Sequence, residues 1–256
     1  MRKGITFLAV CILSFQFAMA QSITTHQYRR VSPENMDEYL KRETTYWAKW
    51  AEKEVTNGNL TFWAILQKVG GVNQDTGPNI LIINSYKDID KGADWGSIDA
   101  MFPDVKMEDI DTWDISTNVH QVFLRNLPNH IRAENTTDDD YNFVHIIYHD
   151  TKDTGQHLAF EVEKWKPMVE QAMKEGKTTM KGWGNQVIIS PVTSKFTYGS
   201  YSYDIFSSLQ DALSPAFSDD WTEPEGIWDG YQDNYNKRNS NVYRRVAAAS
   251  APSPSE

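Results

Sequence analysis

The sequence predicts an α+β protein of two tandem units, each running β-α-β-β-α-β, and three observations lead there. Glu43, Trp47, Glu52 and Gly58 recur as Glu161, Trp165, Glu170 and Gly176, at a constant offset of 118 residues. Self-similarity at a fixed spacing is the mark of a repeated structural unit. Each set lies in a stretch with apolar residues at helical spacing: Leu40, Trp47, Trp50, Ala51 and Val55, then Leu158, Val162, Trp165, Val169 and Ala172. Strand-like segments flank both stretches in the same order. That order is the split arrangement of a ferredoxin-like unit.

The first unit opens with a strand over His26–Val31, and Ser32 before Pro33 starts its helix. Gly58 stands where a helix C-terminus needs a left-handed residue. The strand pair Leu60–Lys68 and Ile80–Tyr86 follows, then a second helical or irregular segment from Asp88-Ile89, then a closing strand at Thr117–His120. The second unit repeats this with a strand over Asn142–Tyr148, and Asp153 with Gln156 forms a capping box. After Gly176 come strands over Trp183–Ile189 and Lys195–Tyr203, a segment from Asp204-Ile205, and a closing strand at Ser240–Tyr243. The units span residues 21–127 and 141–246, joined by a polar linker at 128–140. The Pro- and Ser-rich tail, 247–256, reads as disordered.

Residues 1–20 read as a secretory signal peptide. Arg2 and Lys3 precede an apolar run from Ile5 to Phe17, and Ala18-Met19-Ala20 is a small-x-small cleavage site. The run is too short to span a bilayer, so the protein is expected to be secreted or periplasmic, with no membrane insertion after cleavage at Ala20. Cys11, the only cysteine, leaves with this segment, so no disulfide framework or thiol chemistry is expected. Loss of Arg2 and Lys3 leaves 23 basic residues against 35 acidic ones, a net charge of −12. Such a surface repels nucleic acid and anionic membranes, which bind through Lys and Arg.

With the two units, the stretch Glu161–Gly176, the following Trp183-Gly184 and the Tyr-rich Lys195–Tyr203, the chain resembles a tandem member of the dimeric α+β barrel superfamily. That group contains antibiotic-biosynthesis monooxygenase-like and NIPSNAP-like domains. The resemblance implies two sheets paired face to face as an intrachain barrel, hence a monomer with an internal pseudo-dimer. The superfamily includes cofactor-independent oxygenases, haem enzymes, isomerases and binding proteins, so fold does not fix function. No family catalytic motif is matched here, so none of its catalytic residues can be carried over.

The residues themselves offer few chemical anchors. There is no Gly-x-Ser-x-Gly and no glycine-rich phosphate loop; Gly70-Gly71 and Gly182-x-Gly184 read as turns. No metal site is expected. His145 and His149 are four apart on a strand, about 13 Å by strand rise, and Asp138-Asp139-Asp140 reads as a solvated loop. His145 is the candidate catalytic residue. If Val144, Ile146 and Tyr148 pack on helices, it points between the sheets, where it could act as general base or axial haem ligand. Trp63, Tyr86, Trp183, Tyr198 and Tyr201 are expected to line an apolar cavity there. Glu43 and Glu161 are expected on helix surfaces, one turn before the packing residues Trp47 and Trp165.

These features predict an exported protein that binds a small apolar or aromatic molecule between two sheets, with no cofactor. An oxygenase of the same fold, cofactor-independent or haem-dependent, is the alternative, so enzyme and binding readings both stand. A glycan- or protein-interaction module is a third. Its support is the aromatic and acidic segments at Asp94–Asp114 and Asp219–Tyr235.

Overall fold

A computed structural model describes residues 22–70, 76–229 and 231–250. The expected signal peptide, residues 1–20, lies outside the described residues, as do Gly71 and the last six residues of the tail. No helix among the described residues is long and apolar enough to cross a membrane.

The first half of the chain supplies β1 (Ile23–Val31), β2 (Leu60–Lys68), β3 (Ile80–Tyr86) and β4 (Ser116–Asn126). The second supplies β6 (Phe143–Thr151), β7 (Gly182–Ser190), β8 (Ser200–Phe206) and β9 (Tyr235–Ser250). They hydrogen-bond in the order β4-β1-β3-β2-β9-β6-β8-β7, and β4 pairs with β7 to close the ring. A short β5 (Ile131–Arg132) hangs on β7. Every pairing is antiparallel.

This corrects the expected tandem ferredoxin-like arrangement. The strands form one closed eight-stranded antiparallel barrel with few helices, not two sheets facing each other across a gap. An open sheet in each half would leave unpaired edge groups on β2, β9, β4 and β7. The chain satisfies them by pairing β2 with β9 and β4 with β7. The second helix expected in each half shrinks to short turns: α3 (Ser97–Met101), α4 (Met107–Ile110) and, in the second half, α7 (Leu209–Leu213). The expected tail also begins too early, because Ala247–Ser250 end β9 against Ile65–Phe62. The linker carries β5 and a 3-10 turn at Asp138–Asp140.

The barrel interior is packed with side chains. Leu66, Leu81, Val122, Ile146, Tyr148 and Tyr201 belong to one buried cluster drawn from both halves. Outside, each half carries one long helical run. The first comprises α1 (Met36–Arg42), a π-helical turn at Glu43–Trp47 and α2 (Ala48–Thr56). The second comprises α5 (Thr154–Phe160), a π turn at Glu161–Trp165 and α6 (Lys166–Lys174). Trp50, Ala51 and Val55 pack on Leu60, Trp63 and Ile80; Met168 and Val169 pack on Trp183, Phe206 and Val242.

Gly182 and Gly184, expected in a turn, lie within β7. A methyl group at Gly184 would stand 2.6 Å from Cζ of Tyr203, whose ring crosses the glycine on the neighbouring strand. Gly184→Ala must displace a ring held among other side chains. It is expected to lower stability by about 1–3 kcal/mol, read as a lower midpoint in urea unfolding at unchanged slope.

Candidate metal centre

Strand alternation decides which histidine matters. Val144, Ile146 and Tyr148 of β6 face the barrel interior, so Phe143, His145, Ile147 and His149 face the helices. The expected direction of His145 is therefore reversed. It lies outside the barrel with Nδ1 3.9 Å from Asp204 Oδ2.

At the end of the same face, His149 meets the helical run that follows it. Asp153 caps α5 by accepting from the Gln156 amide at 3.0 Å, and this fixes the phase of the helix. His157 and Glu161, four apart, then share its inward face. Donor atoms of His149, His157 and Glu161 all fall within 4.8 Å of one another, and all three residues are buried. Glu161 Oε1 is 3.7 Å from His149 Nε2 and 3.5 Å from His157 Nε2. Donors at about 2.1 Å from one ion stand about 3.0–3.4 Å apart, so the two contacts of Glu161 are near that range, and the three donors would draw closer together on binding. Glu161 also begins the π turn, a distortion frequent at functional sites.

The surrounding groups hold these three in place. Asn185 donates to Glu161 Oε2 at 2.9 Å, Ser202 also hydrogen-bonds this carboxyl, and Asn129 donates to Asn185 Oδ1 at 3.1 Å. Ser202 Oγ lies 2.7 Å from His149 Nε2, the nitrogen nearest Glu161, so an ion bound there would take the place of this hydrogen bond. Tyr235 Oη, at the start of β9, reaches Nδ1 of His149 at 3.0 Å and Nδ1 of His157 at 3.2 Å. Asn234 anchors that segment, exchanging two 2.9 Å hydrogen bonds with the backbone of Asp153. Outer partners of this kind orient metal ligands.

The electrostatics describe a site short of positive charge. Burial raises Glu161 to about 8, and the like charge of Asp204 pushes the same way. Burial lowers His157 to about 4 and His149 to about 2, the latter with help from His157 and Arg238. Both imidazoles are thus neutral at pH 7, the form that binds metals. His157 Nε2 is buried without a hydrogen-bond partner, a cost that coordination would remove.

The equivalent place in the first half makes an internal control. Glu43, 118 residues earlier, is also buried and starts the other π turn. Tyr39 takes the position of His157 and Val31 that of His149. Glu43 accepts from Thr112 at 3.1 Å, and the fully buried Arg29 pulls its carboxyl down against the desolvation that raises it to about 7. No such cation acts on Glu161 among the described residues. Both glutamates were expected on helix surfaces, and both are buried instead.

Glu43 carries a pH prediction. Its folded value, about 7, exceeds the ordinary 4.5, so the folded state holds the proton that the unfolded chain releases. Stability from this group is therefore full below about pH 4.5 and declines as pH rises to about 7. The loss is on the order of 2–3 kcal/mol. Arg29, Tyr39 and Thr112 face the group. Glu43→Gln is expected to flatten this part of the pH–stability curve, measured by urea unfolding at steps from pH 4.5 to 7.5.

Beside the centre, a cavity of about 260 Å³ is lined by His157, Phe160, Tyr231 and Tyr235, with Lys164 and Asp229 among its polar residues. The expected ligand-binding aromatics do not gather there. Trp63 and Tyr86 belong to the helix-side core of the first half, and Trp183 to that of the second. Tyr201 and Tyr198 pack with the barrel-interior cluster, where Tyr198 precedes β8 rather than lying in it. Trp228, from the acidic aromatic segment, donates to Glu223 at 2.7 Å and stands against Phe160 and Tyr231, beside the cavity. Against the expectation of no metal site, three buried residues that could hold an ion come together. His145 and His149 do not share an ion; the partner of His149 comes from the helix. The spacing His149-x7-His157-x3-Glu161, behind a capping box, was the signal available in the sequence.

No family model and no curated protein matches the chain. Solved structures do match. One is a protein assigned as a monooxygenase from Lactobacillus acidophilus, 12% identical, with 90% of this chain and 97% of that one covered at a TM-score of 0.52. An anthrone oxidase-like protein is 13% identical, with 90% and 93% covered at 0.54. A protein assigned as a monooxygenase from Fusobacterium nucleatum is 9% identical, with 90% and 94% covered at 0.55. These likenesses concern the fold alone.

Proposed function

We propose that the protein is a metal-dependent enzyme of the oxygenase type, in which His149, His157 and Glu161 hold one divalent transition-metal ion. The observation that carries this reading is the convergence of three buried donors, with no Lys or Arg acting on Glu161 among the described residues. Two imidazoles and one carboxylate leave coordination positions open, and this donor set is characteristic of non-haem iron oxygenases. The same set also suits zinc. Oxidation is preferred because the fold neighbours are described as monooxygenases or oxidase-like, an argument by analogy. The adjacent cavity lies at the small end of ligand sites, which run about 300–1,000 Å³. It suits a small molecule. Binding in the barrel interior is not part of this reading, because side chains fill that space. The export read from residues 1–20 would place the enzyme outside the cytoplasm.

The test is metal analysis of the purified chain, followed by oxygen uptake of the iron-loaded protein with small phenols. One metal per chain and uptake that zinc loading abolishes are expected. A preparation that takes up no divalent ion would sink the reading. A Soret band in the same sample would move the case to the haem-dependent alternative.

A further inference from the structure

An ion bound at the centre would give its hydrogen bonds a direction, and that direction says what the cavity can hold. An imidazole that turns Nε2 to an ion must carry its proton on Nδ1. Both Nδ1 atoms, of His149 and His157, lie against the single hydroxyl oxygen of Tyr235. That oxygen has two lone pairs, and the two N–H groups use them. The Tyr235 proton must then go elsewhere, and Tyr231 Oη lies 2.6 Å away. Tyr231 accepts it, so its own proton has no acceptor among the described residues. Tyr231 lines the cavity, with its ring 4.3 Å from that of Phe160 between centroids.

We infer that the cavity takes a small aromatic molecule that presents one unprotonated oxygen to Tyr231, a carbonyl or a single carboxylate, and that this oxygen ends a hydrogen-bond chain from both metal-facing imidazoles. Phe160 adds an aromatic surface to the lining. Glu163 and Asp229 oppose Lys164 around the cavity, a balance that disfavours a molecule with several negative groups. The inference rests on the metal reading, because only the ion fixes both tautomers.

The probes are acetophenone, benzoate and benzylamine, titrated by calorimetry into the zinc-loaded full chain after zinc stoichiometry is measured on the same sample. Acetophenone or benzoate is expected to bind at least tenfold more tightly than benzylamine, and the stronger of the two tells whether the oxygen is charged. Tyr231→Phe, which keeps the ring, should erase that preference while zinc still binds one per chain. Nitrogen-15 shifts of the zinc-loaded protein should place the proton on Nδ1 of both His149 and His157. Benzylamine binding as well as the acceptors overturns the inference, as does an intact preference in Tyr231→Phe or a proton on either Nε2. If zinc is not taken up at all, the metal reading fails and takes the inference with it; uptake without preference overturns the inference alone.

Discussion

Glu161→Gln is expected to abolish tight binding of a divalent ion and leave the barrel folded. The carboxylate is the one anionic donor of the triad, and its Oε2 is already committed to Asn185. Glutamine preserves shape and can still accept from Asn185, but it offers the ion no charge. Loss of an outer-shell partner typically costs 10–100-fold in metal affinity, so loss of the charged ligand itself should cost more than about 100-fold. Folding should survive, because Glu161 is held near pH 8 by burial and is mostly protonated at neutral pH in the metal-free protein. A neutral isostere suits that environment. His157→Ala should lose the ion as well, with a larger cost in packing. Cobalt absorption and zinc calorimetry measure the first effect, and circular dichroism the second. Affinities within about threefold of the parent in both variants would put the centre elsewhere.

Trp183→Ala is expected to lower stability by about 3–5 kcal/mol, the range for truncating a buried indole. Trp183 is 1% exposed and packs in the helix-side core with Met168, Val169 and Phe206. For a chain of this size each kcal/mol moves the melting temperature by about 2–4 °C, so a drop of about 6–20 °C should be seen by calorimetry. Were Trp183 a wall of a ligand cavity, truncation would mainly weaken ligand binding and cost little stability. A loss below about 1 kcal/mol would contradict its placement.

Periodicity made the strands and the first helix of each half readable, since alternation and helical spacing follow directly from which face is buried. The repeated Glu-Trp-Glu-Gly set marked the two equivalent helical runs. What periodicity cannot show is which edges pair. Closure through β2–β9 and β4–β7 depends on strands far apart in the chain, and local sequence carries no trace of that pairing. The direction of His145 failed for a related reason. Alternation gives two faces but does not say which one meets the helices, so the sequence puts His145 on the wrong side. Glu161 was noticed only as a repeated position. A carboxylate on an amphipathic helix reads as solvated unless histidines at compatible spacing are sought around it. Tyr231 and Tyr235 fall in the acidic aromatic segment that the sequence singles out, but their place beside α5 is not legible there, because Asn234 anchors them only through tertiary hydrogen bonds.

The closing strand also sets an order of events. β9 joins the two halves, with Phe62 opposite Ser250 and Phe143 opposite Arg244. Contacts between such distant positions form late and slowly, because long loops must close before they contribute stability. Tyr235, which meets both imidazoles, opens that same strand. A nascent chain that stops short of it holds the three donors but neither the hydroxyl that aims them nor the strand that shuts the barrel. On this reading the ion is captured only by finished molecules, and half-made ones pass it by.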